Sequence, residues 1–417
     1  MSETPSGPLV AADGMPLKRK LARAMFRSRA RAFGLVFPLL AFIIVAFIIP
    51  IIVLLTQAVY DDRYASMMPA STAAMKSWDG HAPITEEMAA AMVKDLIAAR
   101  KNKTIGQVAT RVNREQSGTR SLFTKSARKA ARLEPPYLEA LMDLDRRWQD
   151  PATWEAIKVA SQRWNPSYVA AALDIKYNAD GSFQRQDENR RIHIKLFLRT
   201  LEISFIVTMA TLILGYPVAY LLSTLPTRTS NLLLILVLLP FWTSLLVRTT
   251  AWIAMLQSEG VMNDLFVLFG LTSDDQRFSL IYNKTGTLIA MTHILLPFMI
   301  LPLYSVMKTI PPSYVRAAKS MGATNWTAFW RVYFPQSVPG IGAGALLVFI
   351  LAIGYYITPA LVGGQDGQMI SNIIDFHMRK SLNWNLAAAI GLVLLVFVLF
   401  LFWLYDRFIG IDNMKLG

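Results

Sequence analysis

The chain contains no cysteine at all, and that absence removes disulfide frameworks, thiolate zinc sites and cysteine nucleophiles together. Histidine is nearly as scarce. His81, His193, His293 and His377 are the four, and none stands at HExxH or another paired ligand spacing, which argues against a metalloenzyme. Charge is sparse too, at 17% of the 417 residues, while 54% are apolar and mean hydropathy is +0.37. These values fall outside the usual soluble range and point to membrane embedding. A formal net charge of +14 would suit a nucleic-acid binder if the basic residues formed one patch with interleaved aromatics. They flank long apolar runs instead, so no nucleic-acid partner is expected and the charge reads as topology. A phosphate-binding loop is also missing, because GGQDGQMIS at 363–371 lacks the GK[ST] ending that holds nucleotide phosphates.

What is abundant is apolar sequence in windows of about 20 residues, the length that crosses roughly 30 Å of hydrocarbon. Six are expected, at about residues 33–59, 197–222, 232–256, 288–307, 341–362 and 386–405. All should be helices, since lipid offers backbone groups no other partner. The first is too long, and lacks the small-residue cleavage pattern, to be a removable signal peptide. The second and third are joined by the short link STLPTRTSN and should form a hairpin. Lys18, Arg19, Lys20, Arg23, Arg27, Arg29 and Arg31 crowd the approach to the first span, which the positive-inside tendency assigns to the cytoplasm. Six crossings then leave both termini cytoplasmic. The link carrying Arg228 and the loop at 308–339, with Lys308, Arg316, Lys319 and Arg331, fall on the same side.

The expected organisation is an all-α membrane protein in four parts: a cytoplasmic basic segment at 1–32, a first transmembrane helix at 33–60, an extracytoplasmic helical insertion at 61–196, and a five-helix core at 197–417. Long loops escape the charge rule, so the mixed charge of the insertion does not oppose its placement outside. Met92, Leu96 and Ile97, then Leu138, Leu141 and Leu144, recur at helical spacing and suggest several amphipathic helices. A solvated spacer is the plainer alternative; docking a partner is the sharper one.

The loop at 308–339 reads as helix, turn, helix. Pro311 and Pro312 open the first helix, Gly322 supplies a left-handed residue to end it, and Thr324 or Asn325 can cap the second. That second helix carries Trp326, Phe329, Trp330, Val332 and Tyr333 before Pro335, which is expected to halt it. An aromatic surface of this kind beside a membrane is either an interfacial belt or a docking face.

A candidate solute path lies deeper. Arg248 sits well inside the third apolar run, where a cation costs several kcal/mol unless it faces water, a carboxylate or the bundle interior. Thr249 and Trp252 share its face at helical spacing, and Trp242 and Thr243 lie one to two turns before. In the fifth run Gly354, Tyr355, Tyr356, Thr358 and Pro359 interrupt an apolar helix, an irregularity tolerated only against a cavity or protein. Structural contact between helices is the alternative for Arg248, and helix packing for Tyr355 and Tyr356. Aromatic walls suit organic cations, whereas Arg248 would repel them and suit a carboxylate. Glu202 stands near the start of the second run and is expected to pair with Arg199.

At the loop the residues carry a specific resemblance. Arg316, Ala317, Ala318, three residues, Gly322, then Val332, Tyr333, Phe334 and Pro335 resemble the EAA loop of type I ABC importer permeases, which reads Glu-Ala-Ala, three residues, Gly, nine residues, Ile-x-Leu-Pro. PFWTSLLVRTTAWIAML from Pro240, HILLPFMILPLYSVM from His293, the run GATNWTAFWRVYFPQSVPGIGAGALLVFILAIGYYITPALVGG from Gly322 and MISNII from Met369 extend the likeness, closest to the spermidine/putrescine type. The family glutamate is replaced by Arg316, the large insertion is not part of the family pattern, and the acidic residue often found near the tyrosine pair is absent from IGYYITP.

The resemblance implies a non-hydrolytic permease subunit whose first loop helix couples to an ATPase through Arg316, Ala317, Ala318, Gly322 and Ala323. It implies an assembly of two cytoplasmic ATPase subunits, a second permease chain that is related but different, and a periplasmic solute-binding protein, in the bacterial inner membrane and in contact with its lipid. No cofactor is expected on this chain; ATP and Mg would sit at the partner ATPase. The solute would be a small nitrogen-containing organic molecule, polyamine, opine or amino-acid-like. An ion-coupled secondary transporter is the alternative, although it would ordinarily show more spans, inverted repeats and intramembrane acids.

Overall fold

The computed structural model describes residues 17–409; the start of the basic N-terminal segment, 1–16, and the C-terminal 410–417 lie outside the described residues. The chain divides into two compact units, Met1–Gln57 and Ala58–Gly417. In the first, α1 (Leu17–Ile43) runs through a π-helical turn at Ile44–Ile48 into α2 (Ile49–Thr56). Ser28–Thr56 within it is long and apolar enough to cross a membrane. Side chains such as Leu35, Phe42, Phe47 and Ile52 remain exposed along it, as lipid contact requires.

The second unit opens with a helical body at 58–192. It has a hydrophobic core of its own, in which Trp148 lies between Phe123 and Trp154 with ring centroids 5.6 and 5.2 Å away. Each indole is satisfied as burial demands: Trp148 Nε1 donates to Ser126 Oγ at 2.9 Å and Trp154 Nε1 to the Trp148 carbonyl at 2.8 Å. Met92, Leu96 and Leu141 are fully buried, while Ile97 lies at the edge, 40% exposed. The body ends in a short hairpin of β1 (Ile175–Tyr177) and β2 (Phe183–Arg185), paired antiparallel with Lys176 opposite Gln184.

A buried ionic cluster fastens this body. Asp61 accepts from Arg63 Nε at 2.8 Å and from Tyr168 Oη at 2.8 Å, and pairs with Arg111 Nε at 3.0 Å. Arg111, fully buried, also reaches Glu115 at 2.6 Å and stacks over the Tyr168 ring. Burial by itself would raise the Asp61 carboxyl, but the hydrogen bonds from Arg63 and Tyr168 and the charges of Arg111 and Arg63 outweigh that and hold it below the usual carboxylate range.

The remaining helices form the membrane core: α3 (His193–Thr224), α4 (Thr227–Leu238), α5 (Leu245–Leu256), α6 (Val261–Leu268), α7 (Lys284–Thr309), α8 (Pro312–Ser320), α9 (Asn325–Ala328), α10 (Phe334–Gly354), α11 (Ile357–Val362), α12 (Ile370–Arg379) and α13 (Trp384–Ile409). Among the described residues five helical stretches could each cross a membrane, and a bent pair makes a sixth. Helices α3, α7 and α10 form the packed centre, around Ile203, Val207, Leu295, Met299, Leu303 and Val348. Close approach depends on small residues; a Cβ at Gly344 would stand 2.8 Å from Met299 Sδ.

Two expected spans differ from their sequence reading. The third is no straight helix: Thr227–Trp242 and Leu245–Leu268 meet at 93°. Pro240 lacks the N–H needed to continue, Thr243 is extended, and Ser244 starts a new helix by accepting from the Val247 N–H at 3.2 Å. The fifth does not run on to 362, because α10 ends at Gly354 and Tyr355 is extended before α11 begins. At its other end Pro335 does not halt the aromatic segment. The backbone is helical from Asn325 to Gly354, passing through a π turn at Phe329–Tyr333. Proline normally clashes with the carbonyl four residues back; here that residue, Arg331, lies inside the wider π turn, which relieves the clash.

Candidate functional site

The bend before α5 and the break before α11 bring polar groups together inside an apolar bundle. Arg248, Thr249 and Trp252 lie on α5, His293 on α7, and Tyr355 and Thr358 at the break and on α11. Thr249 and Thr358, both fully buried, share a hydroxyl hydrogen bond at 3.2 Å. Trp252 Nε1 donates to His293 Nδ1 at 3.1 Å, with the rings edge to face. The three elements are thus joined by side-chain hydrogen bonds, each of which would be costly to leave unmade in a bundle.

Arg248 occupies the middle of this patch. Its guanidinium lies over the Phe241 ring at 5.9 Å, and Phe241 in turn packs edge-on against Phe298. Its charge acts on both His293 and Tyr355. Its Nε is buried without a hydrogen-bond partner, and among the described residues it makes no ion pair. A guanidinium donates in a planar fork suited to carboxylate or carbonyl oxygens, so this arrangement offers an oriented donor within an aromatic and hydroxyl-lined surround. It offers no nucleophile with a base, and among the described residues no group of three or more His, Asp or Glu could hold a metal ion.

The seven expected path residues therefore fall in three places. Arg248, Trp252, Tyr355 and Thr358 are brought together. Trp242, 77% exposed, and Thr243 lie in the bend and do not continue the helical face of Arg248. Tyr356 belongs elsewhere: its hydroxyl accepts from Arg379 at 2.9 Å, beside a cavity of about 430 Å³ that Asp375 and Trp384 also line. His293 was missed by sequence reasoning. A lone imidazole in the apolar run of α7 is the signal that could find it. Glu202 pairs with Lys284 on α7, not with Arg199, whose guanidinium donates to the Gln365 carbonyl at 2.7 Å. Residues 199 and 202 share a helix, but the tertiary partners lie nearer.

The loop has its own geometry. Pro311 is the N-cap of α8, and the helix ends in a Schellman motif: the Ala323 N–H donates to the Ala318 carbonyl and the Gly322 N–H to that of Lys319, both at 3.0 Å. Gly322 has φ +90°, which a side chain rarely adopts. Thr324, not Asn325, caps the next helix, accepting from the Thr327 N–H at 3.2 Å. Ala318 is buried, whereas Ala317 and Arg316 face outward. Met321 and Trp326 are 83% and 72% exposed, and among the described residues Arg316, Lys319 and Arg331 make no ion pair. Exposed apolar side chains and unpaired cations along one short segment have the composition of a contact surface.

Residues 205–409 match the family of binding-protein-dependent transport system inner membrane components. The chain is 32% identical over 222 residues to the spermidine/putrescine transport system permease protein PotB of Escherichia coli, covering 52% of this chain and 80% of that one. It is 33% identical to the Haemophilus influenzae protein of the same name, covering 54% and 78%. It is 32% identical to the inner membrane ABC transporter permease protein YdcU of Escherichia coli, covering 49% and 68%. Among solved structures, a bacterial alginate ABC transporter in complex with alginate pentasaccharide-bound periplasmic protein aligns with a TM-score of 0.46 at 18% identity, covering 54% of this chain and 81% of that one.

Proposed function

From the premise that this chain belongs to the binding-protein-dependent transport system inner membrane components, as an ABC importer permease of the polyamine type, we propose that it carries solute by alternating access driven through its 308–339 loop. The observation that carries the proposal is the exposed loop surface: Arg316 and Lys319 on α8, Met321 just after it and Trp326 on α9 all face outward, around the turn that Gly322 closes. In this reading α8 seats in a groove of a cytoplasmic ATPase, and closure of two such ATPases pushes on Arg316, Ala317, Ala318, Gly322 and Ala323. ATP and Mg²⁺ belong to those partners, since this chain has no phosphate-binding loop. Both termini and the loop are cytoplasmic, residues 61–196 are an extracytoplasmic insertion, a related second permease completes the pore, and a periplasmic solute-binding protein delivers the solute.

The solute is a small nitrogen-containing organic molecule. The names of the relatives favour a polyamine, while the buried donor of Arg248 favours a solute that also presents a carboxylate or carbonyl oxygen, as an opine or amino acid does. The Arg248, Trp252, His293, Tyr355 and Thr358 patch is the proposed contact.

Pull-down from solubilised membranes tests the coupling. The wild-type chain should bring down an ATPase with hydrolytic activity. Gly322→Pro, which forbids the left-handed φ and removes the N–H bonded to Lys319, should lose it. Solute movement in liposomes by the wild-type chain alone, without nucleotide or a co-purifying ATPase, would overturn the proposal in favour of a secondary transporter.

A further inference from the structure

Where the β1–β2 hairpin meets the first turns of α3 the chain forms an open cavity of about 960 Å³, lined in part by Phe183, Arg185, Arg191, Lys195, Leu198 and Arg199. We propose that this cavity binds the phosphodiester headgroup of an anionic phospholipid.

Charge is the first ground. Four cations line the cavity, and its two acids, Asp174 and Glu202, are already engaged. Asp174 receives the His193 ring at 2.9 Å and the N–H groups of His193 and Ile194 at 3.1 and 2.9 Å, while Glu202 pairs with Lys284. The cations are less well served. Among the described residues Arg185 and Lys195 make no ion pair. Arg191 stands 3.9 Å from the exposed Glu188, and its Nε is buried without a hydrogen-bond partner. Arg199 donates to one carbonyl and lies 3.9 Å from the exposed Asp366. A phosphodiester supplies the missing acceptors, and guanidinium groups bind it through paired, charge-assisted hydrogen bonds.

Position is the second ground. At 32 residues, α3 is about 48 Å long, against roughly 30 Å of hydrocarbon, so turns at its ends stand in the headgroup layer. Ile194, Leu198, Phe205 and Ile213 recur at near-helical spacing and are exposed, forming an apolar stripe for an acyl chain that starts inside the cavity. Cations immediately above such a stripe are placed for a lipid; a soluble anion would have no use for it. The site is also built. Asp174, directly before the hairpin and at φ +55°, accepts the first N–H groups of α3 with its carboxylate and so ties the hairpin to the helix, while the Phe183 ring packs on its cross-strand partner Tyr177 at 5.4 Å.

The test is lipid titration of the purified full-length chain, with dioleoyl phosphatidylglycerol against dioleoyl phosphatidylcholine, read by native mass spectrometry of retained lipid. The wild type should prefer phosphatidylglycerol. Arg185→Gln combined with Lys195→Gln should weaken that lipid by roughly fivefold for each charge removed, leave phosphatidylcholine unchanged and retain the wild-type circular dichroism. Lys176→Gln, an exposed cation that does not line this cavity, should change neither. Because folding of the double variant is not guaranteed, the wild type is also titrated with KCl, which should weaken phosphatidylglycerol selectively. Equal retention of the two lipids, salt-independent preference, or an unchanged double variant overturns the proposal. Competitive displacement by soluble glycerol phosphate overturns it in favour of a soluble phosphate ligand.

Discussion

Arg248 brings the physical argument to a single side chain. A guanidinium inside a bundle ordinarily pairs with an opposite charge or with backbone carbonyls, yet this one lies over the Phe241 ring, makes no ion pair among the described residues and keeps an unpartnered buried Nε. Such a charge contributes little to folding, and replacing it by an apolar residue of similar length removes a desolvation cost. Arg248→Met should therefore leave the melting temperature of the solubilised chain unchanged or raised. Uptake by the reconstituted transporter should fall about 10- to 100-fold, as expected for loss of a charge-assisted hydrogen bond to solute. A variant that melts earlier but transports normally would make Arg248 a structural contact. Its depth was legible in the sequence because hydropathy marks a charge in an apolar run. Its neighbour His293 was not, since partnership with Trp252 depends on how two helices face each other.

At the scale of elements, the apolar runs were legible because lipid forces helices, and so was the interruption at 354–359 in the fifth, but the bend in the third was not. A window of about 20 residues averages over the 93° bend, whereas the clustered polar aromatics and Pro359 marked the break at Tyr355. Proline was an ambiguous signal. Pro240 precedes a bend, whereas Pro50 and Pro335 each stand second in a helix that follows a five-residue π turn. The π turn admits the ring and the helix continues, so a stop rule based on α register fails there. The bend depends on Ser244, whose hydroxyl accepts the Val247 N–H. Ser244→Ala should cost about 1 kcal/mol, seen as earlier thermal unfolding. Ser244→Asp, a comparable cap, should recover much of it. If both variants melt like the wild type, the bend is set by packing alone.

For the whole molecule, the question is how the 58–192 body is held to the membrane core. Arg63 bonds Asn385, Asn385 Nδ2 donates to the Tyr60 carbonyl at 3.2 Å, and Arg114 donates to the Leu382 carbonyl at 2.9 Å. These contacts fall at the start of α13, so the Asp61 cluster both staples the body and aims Arg63 at the core. Asp61→Asn leaves buried Arg111 without one of its two carboxylates and should cost about 3–5 kcal/mol, measured as protease sensitivity of residues 58–192. None of this was legible in the sequence. Residues 61, 111 and 168 meet only after the body has folded, and no local pattern announces the meeting.

The same junction should respond to acid. His377 on α12 faces His193 and Arg114, and burial first, then those two neighbours, lowers it to about 4. A histidine held below its unfolded value of about 6.5 is neutral in the folded protein, and the unfolded chain binds the additional proton between the two values. Its contribution to stability is thus present above about pH 6.5 and is lost as pH falls through about 4. Asp61, lowered from an ordinary carboxylate value, contributes above about pH 4 and loses that contribution only at still lower pH, so the two windows separate. Hydrogen exchange of residues 105–115 and 370–383, corrected for intrinsic rates, should rise as pH is lowered from 6.5 to 4, and His377→Gln should flatten the rise. A rise that persists in the variant would place the acid response in other groups, and a wild type with no rise would mean that His377 takes its proton without loosening the body.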